Sequence, residues 1–396
     1  MRAAKSSLFA VWTVVLFVVL TGCSRRPPST PVTHASTPPS PAASSPKLGL
    51  QTLNGVRILT LVGSPEEMGR QHGELLGDDV RFVLSDVLGS RVAGDDDSHR
   101  HFLEAVMVME TFLDDSWRRE LHALADSAKV DYPELVALQL FGDVRRAQLC
   151  SSFAAFGHAT ASGECVVGRN FDYFYPDAAK RASIIIDYHP AQGRRFMTVT
   201  WAGVINGWTL MNDAGLVTAN NTAYSGGVNS LEGVSTCFML RRIAERADSV
   251  QAAADLVRST PRACATNLLI AGGSPPQAAV VEYDHDRILV RSSRDDYVLA
   301  TNHFVELDGG SVEEPASGRY AILEKLIRDN YGRIDRSMNF AAADGVPISS
   351  INLHSVILFP RDLTFSVAMG QVPAHKGTWT SFRMTPAGIV SADPLK

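Results

Sequence analysis

Gln148-Leu149-Cys150-Ser151-Ser152-Phe153 marks the point at which the sequence changes character, and Gly168-Arg169-Asn170-Phe171-Asp172 follows after a turn signal at 161–163. Upstream, residues 64–142 carry apolar side chains at the spacing of amphipathic helices. Downstream, as far as Thr222, short apolar and β-branched runs alternate with Gly, Asp and Asn turns, which is typical of strands. A strand that begins at Cys150 and a strand that returns to Arg169 would place the two polar segments side by side.

The rest of the folded chain continues this pattern. Ser64-Pro65-Glu66-Glu67 combines an N-cap, a proline at the first helical position and a glutamate at N3, and predicts a helix start. We expect further helices over 234–258 and 318–329, strands within 268–300 and a hairpin near 356–367. Helices and strands in such blocks predict an α+β layered fold, in one catalytic domain that begins near Leu48.

The composition is that of a globular protein. The chain has 396 residues, of which 45% are apolar and 20% charged, so it can bury a sizeable core. The formal net charge of -5 is spread over mixed acidic and basic residues without a basic stripe. We therefore expect no nucleic-acid partner.

The first 47 residues have the features of an export signal and a tether. Arg2 and Lys5 precede the apolar run 8–20, which is too short to span a membrane comfortably. Residues 20–23, Leu-Thr-Gly-Cys, resemble the bacterial lipobox, which implies a signal peptide over 1–22 and a lipid on Cys23. Residues 23–47 are rich in Ser, Thr, Pro and Ala and predict an extended tether. We expect an exported lipoprotein, held on the periplasmic or outer face of a cell-envelope membrane; the alternatives are a plain signal peptide and a stray cysteine beside an uncleaved anchor.

The cysteines and histidines do not form a metal-binding pattern. No CxxC motif and no His/Cys pair at zinc spacing occurs. The run 95–101, Asp-Asp-Asp-Ser-His-Arg-His, is more typical of a solvated loop than of a metal cluster, so we expect no metal and no cofactor. Cys165 and Cys237 lie in apolar surroundings that favour inert buried thiols, although the domain cysteines could also form one or two disulfides in an oxidising compartment.

Two motifs resemble a known family. The runs 150–153 (Cys-Ser-Ser-Phe) and 168–173 (Gly-Arg-Asn-Phe-Asp-Tyr) are similar to the cysteine N-terminal-nucleophile hydrolases. The run 63–73 is similar to the acyl-coenzyme A:6-aminopenicillanic acid acyltransferase branch, and bile salt hydrolases share only the later part. The resemblance extends from about residue 55 to residue 383. It implies a four-layer αββα sandwich preceded by a mainly helical segment, and self-cleavage at Leu149-Cys150 into the segments 48–149 and 150–396.

The resemblance also implies roles for individual residues. Cys150 would be the nucleophile of an amide hydrolase or acyltransferase, and its freed α-amine, with a reference pKa of about 7.7 to 8.0, would be the base. Arg169 and Asp172 match the positions that orient and support the nucleophile. The run 211–216 followed by two asparagines resembles the segment of the oxyanion hole, for which we choose Asn221 with Asn220 as its neighbour. Further along the chain, two positions match a second family asparagine and a late arginine: Asn302 and Arg319.

Alternatives remain at this stage. The relatives usually have a small residue where this chain has Leu149, which makes the cut itself uncertain. Without the resemblance, the two asparagines could form a turn, Arg319 could lie on a solvated helix start, and Glu282 is as typical of a strand edge as of a pocket. A Cys/His hydrolase without self-cleavage is the main mechanistic rival, with His303 the best placed of four histidines, the others being His158, His189 and His354. A non-catalytic lipoprotein that binds a ligand is the other rival. The expected substrate is a small acyl amide, with water or an amine accepting the acyl group from a Cys150 thioester.

Overall fold

A computed structural model describes residues 46–89, 96–146, 148–174, 176–224, 227–308 and 318–394. The predicted signal peptide, Cys23 and nearly all of the tether lie outside these residues. Within them, the helices begin with α1, whose first turn has the predicted capping box: Ser64 Oγ accepts from Glu67 N at 3.2 Å, and Glu67 Oε2 accepts from Ser64 N at 2.7 Å. The helices are α1 (Pro65–Leu84), α2 (Asp96–Glu110), α3 (Asp115–Ala128), α4 (Tyr132–Arg145), α5 (Pro176–Ala182), α6 (Thr236–Arg246), α7 (Val250–Ser259) and α8 (Arg319–Asp329).

The strands of the described residues form two sheets. The nine-stranded sheet contains, in spatial order, β1 (Gly49–Leu53), β2 (Val56–Gly63), β5 (Ser183–Pro190), β6 (Phe196–Trp201), β7 (Thr209–Asn212), β8 (Leu216–Thr222), β9 (Thr266–Gly272), β10 (Gln277–Tyr283) and β11 (Ile288–Ser292). The seven-stranded sheet contains β12 (Tyr297–Ala300), β3 (Leu149–Gly157), β4 (Gly163–Asp172), β13 (Asn352–Phe359), β14 (Thr364–Met369), β15 (Thr380–Thr385) and β16 (Gly388–Ser391). Neighbours pair antiparallel, except that β2 and β5 are parallel.

The two sheets stack face to face between layers of helices. Side chains such as Ile185 and Leu269 from the nine-stranded sheet meet Val167 and Phe365 from the seven-stranded sheet in one buried cluster. The other face of the nine-stranded sheet is covered by α1–α4, α6 and α7, and α8 covers the outer face of the seven-stranded sheet. This order of layers is the predicted αββα sandwich, preceded in the chain by the predicted helical segment.

The helical segment and the later chain share one core. Residues 43–396 form a single compact unit, and the cluster on the helical side combines Leu121 and Leu138 with Phe238 and Leu268. The predicted segments 48–149 and 150–396 are therefore packed together. As predictions of chain processing, these boundaries remain untested.

The structure corrects two details and adds one observation on the cysteines. The single helix expected over 234–258 is two helices, because Ala247 is extended and Ser249 caps α7 by accepting from Ala252 N at 3.3 Å. The strands β1, β15 and β16, which lie at or next to the edges of the two sheets, were not expected from the sequence. No disulfide occurs among the described residues: Cys150, Cys165, Cys237 and Cys264 are buried free thiols, as expected for two of them.

Two further observations concern the described residues alone. No helix there is long and apolar enough to cross a membrane. Nor do these residues contain a group of three or more His, Cys, Asp or Glu side chains that could hold a metal ion.

Candidate active site

The β3–β4 hairpin positions the predicted nucleophile. Its register sets Leu149 opposite Asp172, and Ser152 opposite Arg169. Because side chains alternate along a strand, Cys150 and Arg169 project toward the nine-stranded sheet, whereas Asp172 projects to the outer face. The hairpin expected from the sequence thus brings Cys150, Arg169 and Asp172 to one end of the sheet.

The glycine of the Gly-Arg-Asn-Phe-Asp run is required by close packing. Gly168 lies opposite Phe153, and a Cβ at this position would come within 2.0 Å of the Phe153 ring. The ring of Phe153 occupies the space that a side chain at residue 168 would need. The motif therefore fixes the spacing of β3 and β4 next to the site.

Asn302 and Arg319 form hydrogen bonds with the backbone of Cys150. Asn302 Oδ1 accepts from Cys150 N at 2.8 Å, and it also accepts from Arg319 Nη2 at 2.8 Å. Arg319 Nη1 donates to Cys150 O at 2.9 Å. The amide nitrogen that a cut at Leu149-Cys150 would convert to an amine is therefore already bound by a side chain.

Arg319 is not on a solvated helix start. Its side chain is the first of α8, is 2% exposed and lies 3.8 Å from the Asp172 carboxylate. Gly318, the N-cap of α8, has a φ of 61°. A left-handed backbone conformation favours glycine. At Gly318 it turns the chain so that α8 begins beside the site.

The charge of Arg169 acts on the thiol. Burial raises the pKa of the Cys150 thiol above its ordinary value, while the neighbouring Arg169 guanidinium opposes that rise and Asp172 adds to it. Arg169 Nη1 donates to Asn170 O, but Nε and Nη2 have no hydrogen-bond partner among the described residues. In this closed state the thiol is protonated, so a base is needed to activate it.

Asp172 is a buried carboxyl group with several donors. Burial raises its pKa to about 6, against the effects of Asn352 Nδ2 at 2.9 Å, Ile348 N at 3.0 Å and the Arg319 charge. The carboxyl therefore titrates near neutrality rather than in the ordinary acid range.

The two asparagines of β8 project to opposite faces. Asn221 Nδ2 donates to Ser152 Oγ at 2.7 Å, and Asn220 Nδ2 donates to Gln148 Oε1 at 3.2 Å. Both are buried in the strand, so they do not form a turn. Asn221 therefore lies beside Ser152, on the same face of β3 as Cys150, and its role in the oxyanion hole remains a prediction.

The rival histidines have other partners. His303 Nδ1 shares a hydrogen bond with Thr301 Oγ1 at 3.1 Å. His354 is paired with Phe171, which is paired in turn with Cys150, so two strand spacings of about 10 Å separate their backbones. The Phe171 ring stacks on His354 with ring centroids 5.2 Å apart. The other two histidines pair with carboxylates: His158 with Asp296 and His189 with Asp187.

Sequence reasoning missed several residues that position the site. Asn267 Nδ2 donates to Thr301 O at 2.9 Å and to His303 O at 2.7 Å, on either side of Asn302. Its sequence signal is only a polar residue at the start of the apolar run 268–271. Asn267 thus fixes the backbone from which the Asn302 side chain projects.

Glu282 fixes the chain that follows. Its side chain is fully buried, and its oxygens accept from the backbone N–H groups of Val305, Glu306 and Leu307 at 2.8 to 3.1 Å and from Arg291 Nε at 2.8 Å. Glu282 is therefore neither an edge charge nor a pocket residue. It anchors the loop after Asn302.

The site is closed. Cys150 has no exposed surface. A cavity of about 570 Å³ does occur among the described residues, but it is lined by the start of α1, the loop 190–193 and α6, away from Cys150. A substrate therefore has no path to the Cys150 sulfur in this state.

The αββα sandwich, with a cysteine at the start of a strand in its inner layer, is the arrangement that the resemblance to N-terminal-nucleophile hydrolases predicts. Residues 159–339 match the family model of acyl-coenzyme A:6-aminopenicillanic acid acyl-transferase, which agrees with the family resemblance of the motifs. The matched region begins after Cys150 and includes Arg169, Asp172 and Asn302.

Curated relatives are distant. The chain is 25% identical to an uncharacterized protein of Archaeoglobus fulgidus, over 71% of this chain and 56% of the relative. It is 24% identical to protein dcd1B of Dictyostelium discoideum, over 60% of this chain and 52% of the relative. The chain thus spans about half the length of these relatives.

The solved structures that are similar to this chain include three from different organisms. A mutant conjugated bile acid hydrolase of Clostridium perfringens has a TM-score of 0.45 at 11% identity, covering 61% of this chain and 96% of its own. Penicillin V acylase of Agrobacterium tumefaciens has a TM-score of 0.42 at 12% identity, with coverages of 62% and 99%. The Caenorhabditis elegans ortholog of N-acylethanolamine-hydrolyzing acid amidase has a TM-score of 0.42 at 17% identity, with coverages of 53% and 93%.

Proposed function

We propose that this protein hydrolyses an acyl amide through a thioester on Cys150, and that its nucleophile is freed by cleavage of the Leu149-Cys150 bond. The observation that carries the proposal is the contact of Asn302 Oδ1 with Cys150 N, reinforced by Arg319. A side chain that accepts from this nitrogen fits both the scissile amide of an uncut chain and the α-amine of a cut one.

The cut can proceed within the chain. Cys150 Sγ adds to the Leu149 carbonyl carbon, the carbon–nitrogen bond breaks, and the thiol proton passes to the departing Cys150 nitrogen. The products are a Leu149 thioester and a free α-amine. Water then adds to the thioester carbon, the carbon–sulfur bond breaks and the thiol is restored. The net reaction consumes one water and leaves a carboxylate on Leu149.

Turnover would repeat this chemistry on a substrate. The α-amine of Cys150, oriented by Asn302, takes the thiol proton, and the thiolate attacks the acyl carbonyl. The Arg169 charge favours the thiolate, as its effect on the thiol pKa indicates. The substrate amine leaves with the proton, and water hydrolyses the thioester. Transfer to an amine is the alternative, but coenzyme A thioesters are scarce outside the cytoplasm, which favours hydrolysis in an exported protein.

The first test is whether the chain is cut. Intact mass and N-terminal sequencing of the purified protein should give two fragments, the second beginning at Cys150. The Cys150→Ala variant should remain one chain. Cys165→Ala is the matched control, because Cys165 is also a buried free thiol but lies on β4 between the sheets, and its cut should be unchanged. An uncut wild-type chain would refute the proposal.

We also propose that the protein is exported and anchored by a lipid on Cys23, from the sequence of residues 1–47. The wild-type protein should partition into the membrane fraction, with a lipid mass on a peptide that begins at Cys23. Cys23→Ser should lose both the added mass and the membrane partition. A wild-type N-terminal peptide without lipid would contradict the anchor but leave the enzyme proposal intact.

A further inference from the structure

The residue before the predicted cut site is held by its backbone carbonyl. Gln148 is 2% exposed, although it lies in the link between α4 and β3. Gln148 O accepts from Tyr224 OH at 2.5 Å and from Asn302 Nδ2 at 3.3 Å. Two donors from distant parts of the chain therefore converge on one peptide carbonyl on the acyl side of Leu149-Cys150.

The side chain of Gln148 occupies a site of its own. Gln148 Oε1 accepts from Asn220 Nδ2 at 3.2 Å and from Thr222 Oγ1 at 3.5 Å. The opposite wall is Gly142 in α4, where a Cβ would come within 2.1 Å of Gln148 Nε2. A side chain at residue 142 would therefore displace the Gln148 amide from its present position. Asn220 Oδ1 has no hydrogen-bond partner among the described residues, so the site also offers an acceptor.

The chemistry of the cut relates this site to the substrate. The thioester formed during self-cleavage joins the carbonyl carbon of Leu149 to Cys150 Sγ. The thioester formed in turnover joins the carbonyl carbon of a substrate acyl group to the same sulfur. The two are the same kind of acyl-enzyme, and the first carries a peptidyl acyl group that ends in Gln148-Leu149. The groups that bind Gln148 therefore lie where the distal part of a substrate acyl group would bind.

The segment must leave for turnover to occur. With Gln148 and Leu149 in place, Cys150 has no exposed surface, so no substrate can reach its sulfur. Helix α4 need not move, because its core residues such as Leu138 and Phe141 are buried in the helical layer. When Gln148 and Leu149 move out, Asn220, Thr222 and Tyr224 lose their partners and are free to bind another acyl group.

We propose that the substrate is a peptide-like acyl amide, with an apolar acyl residue at the scissile carbonyl and, one residue before it, an amide carbonyl and a carboxamide side chain. This inference rests on the proposed function, since it needs a Cys150 thioester. Tyr224 and Asn302 recognise the amide carbonyl, and Asn220 recognises the carboxamide. Simple acyl chains lack these groups and would form neither set of contacts.

Three substrates with the same fluorogenic amine test the proposal on the processed full-length enzyme. They are 4-methylpentanoyl amide, acetyl-Leu amide and acetyl-Gln-Leu amide. The second adds the amide carbonyl and the third adds the side chain. We expect kcat/KM to rise by about tenfold at each step, since each step adds one or two hydrogen bonds. Acetyl-Glu-Leu amide should fall well below acetyl-Gln-Leu amide, because burying a carboxylate at a site that holds a neutral amide carries a desolvation penalty.

Variants separate the two contacts. Tyr224→Phe removes one hydroxyl and should abolish most of the first step, measured as the ratio of kcat/KM for acetyl-Leu amide to kcat/KM for 4-methylpentanoyl amide. Asn220→Ala should abolish the second step alone. Tyr331→Phe is the matched control, because Tyr331 and Tyr224 are both 42% exposed, and it should leave both steps unchanged.

The outcomes distinguish this inference from the proposed function. A processed enzyme that hydrolyses all three substrates equally, or none of them, overturns the peptide-like specificity and leaves self-cleavage standing. Steps that persist in Tyr224→Phe and Asn220→Ala overturn the assigned contacts. A chain that is never cut overturns the proposed function, and this inference with it.

Discussion

Asp172 should make the folded protein less stable as the pH rises from about 4 to about 6. Burial raises its pKa from an ordinary value of 3.8 to about 6. Below pH 4 the carboxyl is protonated in both the folded and the unfolded chain, so it does not lower the free energy of unfolding. Between the two pKa values the folded chain retains a proton that the unfolded chain has released, so the free energy of unfolding falls as the pH rises. Above pH 6 the carboxyl is ionised in both states, and the free energy of unfolding is lowered by the full amount.

The size of this effect follows from the shift. A difference of about two pKa units, at about 1.4 kcal/mol for each unit, corresponds to about 3 kcal/mol. Cys150→Ala, which cannot be cut by the proposed route, provides a single chain for the measurement. In urea unfolding at steps from pH 4 to pH 7, the free energy of unfolding should fall by about 3 kcal/mol more in Cys150→Ala than in the double variant that also carries Asp172→Asn.

The comparison isolates one carboxyl, because every other titrating group is common to both proteins. Equal pH dependence in the two proteins would show that Asp172 is an ordinary acid in the folded chain. A stability that rises with pH only when Asp172 is present would show that Arg169 and Arg319 outweigh burial. Either result would refute the reasoning that burial is the dominant influence on this group.

Three other substitutions test the contacts around the nucleophile. Arg319→Gln removes two charge-assisted hydrogen bonds, so self-cleavage should slow by about 100-fold, measured as the cut fraction over time, and a normal rate would contradict the role of Arg319. Asn267→Asp has nearly the same shape but loses the donor that holds the backbone on both sides of Asn302; we expect a lower Tm and, well below that Tm, self-cleavage at least about tenfold slower, whereas a normal rate in the folded variant would contradict the positioning role. Gly142→Ala should displace the end of the Gln148 side chain and slow the cut, whereas unchanged cleavage would show that the Gln148 position is not needed.

Local sequence signals predicted the parts of the fold that depend on local physics. The capping box at Ser64 fixed the start of α1, because its two hydrogen bonds join residues three apart. The β3–β4 hairpin followed from two β-rich runs and a turn, and it brings Cys150 and Arg169 together without help from the rest of the chain. Ser249 was also a local signal, since serine favours an N-cap, but it was overlooked within an apolar pattern that continues across the break.

The remainder of the site depends on pairings between distant segments. Asn302 reaches Cys150 because β12 pairs with β3, and Arg319 reaches it because α8 packs beneath the same sheet. Periodicity says nothing about which strands become neighbours, so only the family resemblance pointed to these two residues. Gln148 and Asn267 had no such support. These two residues matter because of the groups to which they hydrogen-bond. Those hydrogen bonds form only once the two sheets are stacked.

Asn302 connects the closed state of the site with its opening. Its Oδ1 accepts from Cys150 N and its Nδ2 donates to Gln148 O, so one side chain holds both sides of Leu149. Transfer of the Leu149 acyl group from nitrogen to sulfur needs no outside molecule and can occur in a closed site. Hydrolysis of the thioester needs a water molecule, and Cys150 has no exposed surface. On the proposed mechanism, the first transfer breaks the peptide bond but leaves Leu149 joined to the Cys150 sulfur, so Gln148 stays in place until the thioester is hydrolysed. Hydrolysis of the thioester is therefore the step at which the site must open, and donors to Gln148 should influence that step more than the first.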